Sequence, residues 1–386
     1  MGANLWRRTK GWLFAQAAGF ARRPAIAPGD LLALHPRAVI LVRQHNQMGD
    51  MVCATPAFRA LRAAFPEARI TLVTAPVNVG VVRHNPHIDA VELFAQAMWR
   101  RPWRLAALVR RLRRERAEVA FVLASVSFSL TSAWLALATG ARYVVGADSR
   151  PYGWDVSRRA FSLEMPAGPR LDRHSVEHSL APLQAIGITT DDLSTVVVPA
   201  PAEREQAAGI LADLGLRPGF WAVHPGAGKR QNLWPADRFA EVVGRAAAAG
   251  SRILVLHGPA DGPALASLLA ELGGGGGQAV RVAPPCSVGT AAALLELADR
   301  FLCNDTGVMH VAGALGVPTV ALFGPTDPLL WKPLSPAVVA LRGRAGRDDP
   351  RGAEYGWMES LSVDEVWAAW SGLTGRPGPP RTREGA

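Results

Sequence analysis

The chain has 386 residues, of which 49% are apolar and 7% aromatic, with 38 Gly and 30 Pro; this excludes a disordered polymer and exceeds what one hydrophobic core serves, so two domains are expected. Its three cysteines, Cys53, Cys286 and Cys303, lie in apolar runs without metal-type spacing and read as reduced core residues of a cytosolic protein. The net charge of +10 is lopsided: residues 1–185 carry 25 Lys/Arg against 12 Asp/Glu, and residues 186–386 carry 17 against 20, so the N-terminal half is expected to meet something anionic, whether nucleic acid, phospholipid headgroups or an acidic glycan.

Residues 4–23, NLWRRTKGWLFAQAAGFARR, mix Trp6, Trp12, Phe14 and Phe20 with five cations and lack a clean cleavage site, which favours an interfacial helix over a signal peptide. From Ala38 onward, short β-branched runs alternate with longer amphipathic ones. AVILVR (38–43) reads as a strand, ATPAFRALRAAF (54–65) as a helix and RITLVTAP (69–76) as a strand. WRRPWRLAALVRRLRRER (99–116) places Leu105, Leu108, Val109 and Leu112 on one helical stripe among eight arginines, a pattern shared by solvated helices and membrane-contacting ones. Residues 119–141 hold no charge over 23 positions, long enough for a membrane span. Ser125, Ser127, Ser129, Thr131 and Ser132 interrupt them, however, so strand, loop and helix are expected instead.

The rhythm then restarts. GFWAVHPGAG (219–228) is a strand and glycine turn, ADRFAEVVGRAAAAG (236–250) a helix, and RILVLHGP (252–259) a strand. The helix TAAALLELA (290–298), the strand RFLCN (300–304), the helix VMHVAGALG (308–316) and the strand PTVALFG (318–324) follow. The expected organisation is an α/β protein with a basic aromatic extension at 1–37, a Rossmann-like domain at 38–200, a second at 201–345, and a helix with a disordered tail at 346–386. The glycines at 273–277 read as a flexible loop, since no Lys-Ser/Thr follows them.

Open parallel sheets bind ligands outside the carboxyl ends of their strands, and the polar motifs of this chain fall at strand exits. In NDTGVMH, Asn304, Asp305, Thr306 and Gly307 stand where a helix begins, so free backbone N–H groups and the Thr306 hydroxyl are placed to hold a diphosphate; the plainer reading is that Asp305 or Thr306 caps the helix. His310 lies one turn on along the same face, with Gly313 and Ala314 below it permitting close packing. HPGAGKRQNLWP offers Lys229 and Arg230 as partners for negative charge, and HGPADG puts Asp261 where a carboxylate meets ribose hydroxyls or forms a turn. In RQHNQMGDMVCATPAF, Asp50 is either a helix cap or a general base for an attacking hydroxyl. Arg43, Arg100 and Arg101 are the cations of the basic N-terminal half expected to meet its anionic partner. The chain has no G-x-G-x-x-G after its first strand, no Asp-x-Asp pair, no His/Cys ligand cluster and no G-x-S-x-G elbow, which disfavours nicotinamide, metal-bound diphosphate and serine-hydrolase chemistry.

RQHNQMGDMVCATPAFRALRAAFPEARITLV, HPGAGKRQNLWPADRFAEVV and FLCNDTGVMHVAGALGVPTVALFGPTDPLLWKP closely resemble the ADP-heptose:lipopolysaccharide heptosyltransferases, the inverting enzymes of glycosyltransferase family nine, over about residues 38–373. The resemblance implies a GT-B fold, two Rossmann-like domains facing a central cleft, with the donor nucleotide held by the C-terminal one. It implies that Asp50 matches the general base and that Asp305, Thr306, Gly307 and His310 match the donor-binding stretch, with no cofactor and no metal. One position departs from the pattern: where a lysine commonly stands two places before the Trp-Pro, this chain has Asn232.

The expected function is therefore transfer of a sugar, heptose from ADP-heptose, onto lipopolysaccharide core or a related lipid-linked anionic glycan at the inner face of the cytoplasmic membrane. The basic N-terminal half would meet the acceptor and the membrane surface, with nucleic acid not expected as a partner. The alternatives are a non-catalytic nucleotide-sugar or glycan binder, or a glycosyltransferase using another nucleotide sugar.

Overall fold

The structure, a computed structural model, describes residues 22–45, 47–123, 127–167, 173–273, 277, 279–345 and 355–375. The leader up to residue 21, Ser125, most of the glycine run and the tail from 376 lie outside the described residues. The chain divides after Leu193 into two compact units.

The first unit is built on a six-stranded sheet of β1 (Ala38–Arg43), β2 (Arg69–Thr74), β3 (Ala90–Leu93), β4 (Val119–Val122), β5 (Tyr143–Ala147) and β6 (Leu163–Met165), in the order β3-β2-β1-β4-β5-β6. Every pairing is parallel. A parallel sheet covered by helices on both faces needs continuous apolar strands, which is why AVILV of β1 and VAFV of β4 are wholly buried. Their helices bury amphipathic faces against them. In the helix Pro102–Arg114, Leu108 and Leu112 are fully buried while the arginines turn outward.

The second unit repeats the plan with β7 (Trp221–His224), β8 (Ile253–Val255), β9 (Val280–Val282), β10 (Arg300–Asn304), β11 (Thr319–Phe323) and β12 (Val338–Arg342), in the order β12-β11-β10-β7-β8-β9, again all parallel. Read from the opposite edge this is the order of the first sheet. Each chain segment starts centrally, adds two strands to one side and then crosses to the other, so a switch point lies between β1 and β4 and again between β7 and β10. Two such Rossmann-like units are the composition of the GT-B fold. At the amino ends of β7 and β10, opposite their exits, Trp221 clusters with Trp367 and Trp370, and the Arg300 guanidinium is stacked 4.2 Å from the Trp221 ring.

The uncharged stretch 119–141 resolves as expected into β4 and the helix Leu130–Ala138, and among the described residues no helix is long and apolar enough to cross a membrane. Residues 22–37, expected as part of an extension, pack on the first unit in the structure. Arg23 donates its backbone N–H to Ala160 O at 3.1 Å and its Nη2 to Leu137 O at 2.8 Å, and Leu31 in the helix Pro28–Leu32 is fully buried. Leu31→Ala should accordingly destabilise the protein by about 2–4 kcal/mol, the cost of removing a fully buried leucine side chain; urea unfolding followed by circular dichroism checks it, and a cost near zero would show that this segment is not part of the folded unit.

Candidate functional site

In the first unit the polar residues gather at the β1–β4 switch point. Arg43 ends β1, and its Nη1 donates to Leu123 O, just past β4, at 2.6 Å. Its Nη2 lies 3.8 Å from Asp50 Oδ2, and both side chains are largely buried. Burial pushes the Arg43 guanidinium below its ordinary value while the Asp50 charge pulls it back up; an arginine nonetheless remains cationic in a protein. Asp50 occupies the third position of the helix Met48–Cys53, whose N-cap is Gln47 and which has no side-chain cap. The capping reading of Asp50 is thus not what the structure shows: its carboxylate sits beside a buried cation instead. Cys53 is fully enclosed, accepts a hydrogen bond from Ser175 Oγ at 3.1 Å, and burial pushes its thiol up to about 12, so it is an inert core residue.

Two further residues join this cluster without having been singled out from the sequence. Burial, then the Arg43 charge, lower His45 below its usual value against the pull of Asp50, which favours a neutral imidazole beside the carboxylate. Gln44 Nε2 donates to Ser129 Oγ at 3.1 Å, and Gln44 Oε1 accepts from Gln96 Nε2 at 3.4 Å. The RQHNQMGD string carried this signal in its run of polar residues after an apolar strand. Arg100 and Arg101 lie past β3, at the end of the turn Gln96–Arg100, and are exposed.

In the second unit the exits of β7 and β10 are tied together by Asn304. This fully buried amide donates to Pro225 O at 2.8 Å and Gly226 O at 3.3 Å, and accepts from Trp234 N at 3.2 Å. Asp305 beside it accepts from Asn232 Nδ2 at 2.9 Å; Asn232 Nδ2 is also 3.4 Å from Thr326 Oγ1, while Asn232 Oδ1 is buried with no hydrogen-bond partner. Burial raises the Asp305 carboxyl above the usual range, and the Thr326 hydroxyl and Lys229 charge offset only part of that. Thr306 is the N-cap of the helix Gly307–Ala314 by position, with extended backbone, but no side chain caps that helix. The hydroxyl and the first N–H groups are therefore not used up by capping. His310 is buried one turn further on. Lys229 and Arg230 are exposed on the same loop as Asn232. Beside that loop lies a cavity of about 320 Å³ lined in part by Arg230, Trp234, Phe239 and Tyr355.

Asp261 is positioned differently from a free acceptor. Its Oδ2 accepts from Gly258 N at 2.6 Å and lies 3.1 Å from His224 Nε2. The carboxyl occupies the space a Cβ at Gly226 would fill, so this close approach requires glycine there. Burial raises Asp261, but the His224 ring and the Gly258 amide outweigh it and hold the carboxyl below the usual range. Gly313 permits close packing, as expected, and the neighbour is Pro333, with which a Cβ at this position would collide. The structure thus brings Lys229, Arg230, Asn232, Asp305, Thr306 and Gly307 to the β7 and β10 exits of one unit, and Arg43 and Asp50 to the β1 exit of the other.

The family model described as "Glycosyltransferase family 9 (heptosyltransferase)" matches residues 105–352. Lipopolysaccharide heptosyltransferase 3 of Escherichia coli is 23% identical over 288 residues, 74% of this chain and 84% of that protein. Among solved structures, the glycosyl transferase family 9 protein from Veillonella parvula DSM 2008 superposes with a TM-score of 0.72 at 21% identity, covering 86% of this chain and 96% of that one. The E. coli ADP-heptose lps heptosyltransferase II superposes with a TM-score of 0.70 at 21% identity, covering 88% and 98%. With the family match spanning well over half of its length and the twin Rossmann-like sheets of those structures, this chain belongs to glycosyltransferase family 9, the heptosyltransferase family.

Proposed function

We propose that this protein is an inverting glycosyltransferase that moves heptose from ADP-heptose onto a lipopolysaccharide core or a related lipid-linked anionic glycan, at the inner face of the cytoplasmic membrane. The observation that carries the reading is the Arg43–Asp50 pair at the first switch point: a carboxylate held beside a buried cation, released from capping, at the edge of the sheet where ligands bind. The relatives' names, lipopolysaccharide heptosyltransferase 3 and ADP-heptose lps heptosyltransferase II, supply the donor and acceptor class.

In this reading an acceptor hydroxyl attacks the anomeric carbon as Asp50 takes its proton, because a neutral hydroxyl is otherwise too weak a nucleophile. The carbon–oxygen bond to the diphosphate breaks, and its electron pair leaves with ADP. Thr306, the N–H groups at the start of Gly307–Ala314 and the Lys229 cation meet the growing negative charge. Attack opposite the leaving group inverts the anomeric centre, and the scheme needs neither a covalent enzyme intermediate nor a metal. Arg230, Asn232, Asp305 and His310 complete the donor side, and Asp261, engaged by Gly258 N and His224 and packed on Gly226, holds the neighbouring glycine turn in place for the donor. Arg43, Arg100 and Arg101 face the anionic acceptor.

Asn232 favours a second reading. With a neutral buried amide where the family commonly has lysine, the donor site has one cation fewer, which suits a nucleotide sugar other than ADP-heptose or a protein that binds without transferring. Thermal shifts across ADP-, GDP-, UDP- and dTDP-sugars separate these, since a bound donor stabilises the folded state.

Asp50→Asn should lower transfer by roughly 100- to 10,000-fold, the usual contribution of a general base, with ADP affinity by calorimetry unchanged; full transfer by the variant would remove Asp50 from the chemistry. Thr306→Ala should weaken ADP binding by about tenfold, the loss of one hydrogen bond to a charged group. The lowered carboxyl of Asp261 contributes stability that is present above its unfolded value of about 3.9 and is lost as pH falls through its lower folded value. Asp261→Asn should therefore melt below the wild type at pH 7 with the gap closing as pH drops below about 4, whereas a pH-independent gap would assign Asp261 to packing alone.

A further inference from the structure

The arginine-rich segment 99–116 is left without a role by the donor chemistry, and its structure is not that of an ordinary solvated helix. Trp103 is 66% exposed and Trp99 45% exposed, although large apolar side chains of this kind normally find cover. Trp99 is not loose: its ring packs edge-on against Phe94 at 6.0 Å and Trp134 at 5.0 Å, which holds its outer edge in a fixed position. Buried Leu108 and Leu112 anchor the inner face of Pro102–Arg114, so the opposite face is committed to the outside. Trp103, Arg110 and Arg114 share a stripe at spacings of seven and four, and Arg104 stands about 100° round the helix on the flank it shares with Arg111; all five are exposed.

Charge on this surface is uncompensated. Among the described residues, Arg111 is the one arginine of the eight in 99–116 that pairs with a carboxylate, Glu92, and the neighbouring Glu115 is taken by Arg69 at 2.8 Å. The helix also begins with Arg101 at its N-cap and Arg104 in its first turn, with no acidic residue there. Cations at the positive pole of a helix repel it, so this end of the molecule is built to receive negative charge. Its location matters too. The turn Gln96–Arg100 follows β3 and so lies at the carboxyl edge of the first sheet, tied by Gln96 to Gln44, the residue after Arg43.

We infer that Trp99, Trp103, Arg104, Arg110 and Arg114 form a docking surface for an anionic lipid bilayer, the indoles entering the headgroup layer and the guanidinium groups meeting lipid phosphates. This gives a place to the membrane association proposed above and rests on that reading. Indoles and cations together are the composition of a membrane interface, and the leader 4–23 repeats it with five cations and no acid. Docking here brings a lipid-linked acceptor to the sheet edge that carries Asp50.

The test is sedimentation of the full chain with vesicles of phosphatidylcholine alone or with 30% phosphatidylglycerol, a mole fraction of roughly the order needed for a strongly anionic surface. The wild type should bind only the anionic vesicles and release in high salt. Trp103→Ala and, separately, Arg104→Glu should each lower the bound fraction at least about fivefold, with ADP affinity unchanged and no fall in melting temperature on Arg104→Glu, which puts an acid in the first turn of the helix. Wild-type binding by either variant, or no binding by the wild type, overturns the inference. Tighter binding to oligo-dT that both variants abolish overturns it as well, by assigning the surface to nucleic acid. Transfer to a delipidated acceptor, assayed in parallel, should be the same in variants and wild type; a chain that docks on vesicles yet transfers nothing upholds the surface and fails the transferase reading.

Discussion

One fully buried amide holds the second unit's candidate site together. Asn304 closes β10 and is bonded through its side chain to Pro225, Gly226 and Trp234, so both ends of the loop that carries Lys229, Arg230 and Asn232 are fastened to the central strand. No water reaches it to replace those bonds, and loss of the amide would leave three backbone groups without partners. Further contacts follow from that fastening. Gly226 is held where only a glycine leaves room for the Asp261 carboxyl, Asp261 then gathers Gly258 N and the His224 ring, and Asn232 reaches Asp305.

Arg43 is the counterpart in the first unit. It also ends a central buried strand, and its guanidinium spans from the β1 exit to Leu123 past β4 while lying beside Asp50. Burying a guanidinium is costly unless charge and acceptors compensate it, so Asp50 and the Leu123 carbonyl are structural necessities for Arg43 as much as Arg43 is for them. The two units thus solve one problem alike. The central strands of an all-parallel sheet are covered on both faces and run apolar along their middles, so Arg43 and Asn304 stand at the strand exits, where polar partners become available.

The lopsided charge is also organised. Part of the first unit's arginine complement is paired internally, in Arg59–Asp192, Arg62–Asp89, Arg69–Glu115, Arg111–Glu92, Arg150–Asp148 and the Arg158 and Arg159 pairs with Asp155. Exposed pairs of this kind add little stability individually; among the exposed arginines outside them, Arg104, Arg110, Arg113 and Arg114 lie together on Pro102–Arg114. A net charge read from composition becomes a surface with a direction.

The central strands were legible because burial on both faces forces unbroken apolar runs, as in AVILV, VAFV and TVALF. The edge strands Leu163–Met165 and Val280–Val282 were not, since three residues, most of them half-covered, make no periodic signal. Motif positions at strand exits could likewise be read from residue order, because a parallel sheet with crossover helices sends every such exit to one edge. What each polar group does there could not. Whether Asp50 caps a helix, whether Thr306 spends its hydroxyl on its own backbone, and whether Asp261 is free or stapled to His224 depend on which atoms come within hydrogen-bond distance after folding. The sequence by itself determined the alternation of buried strand and amphipathic helix and the places where polarity begins. Only the tertiary structure decided the partners of those polar groups, because a hydrogen bond is fixed by angstrom-scale geometry between segments far apart in the chain.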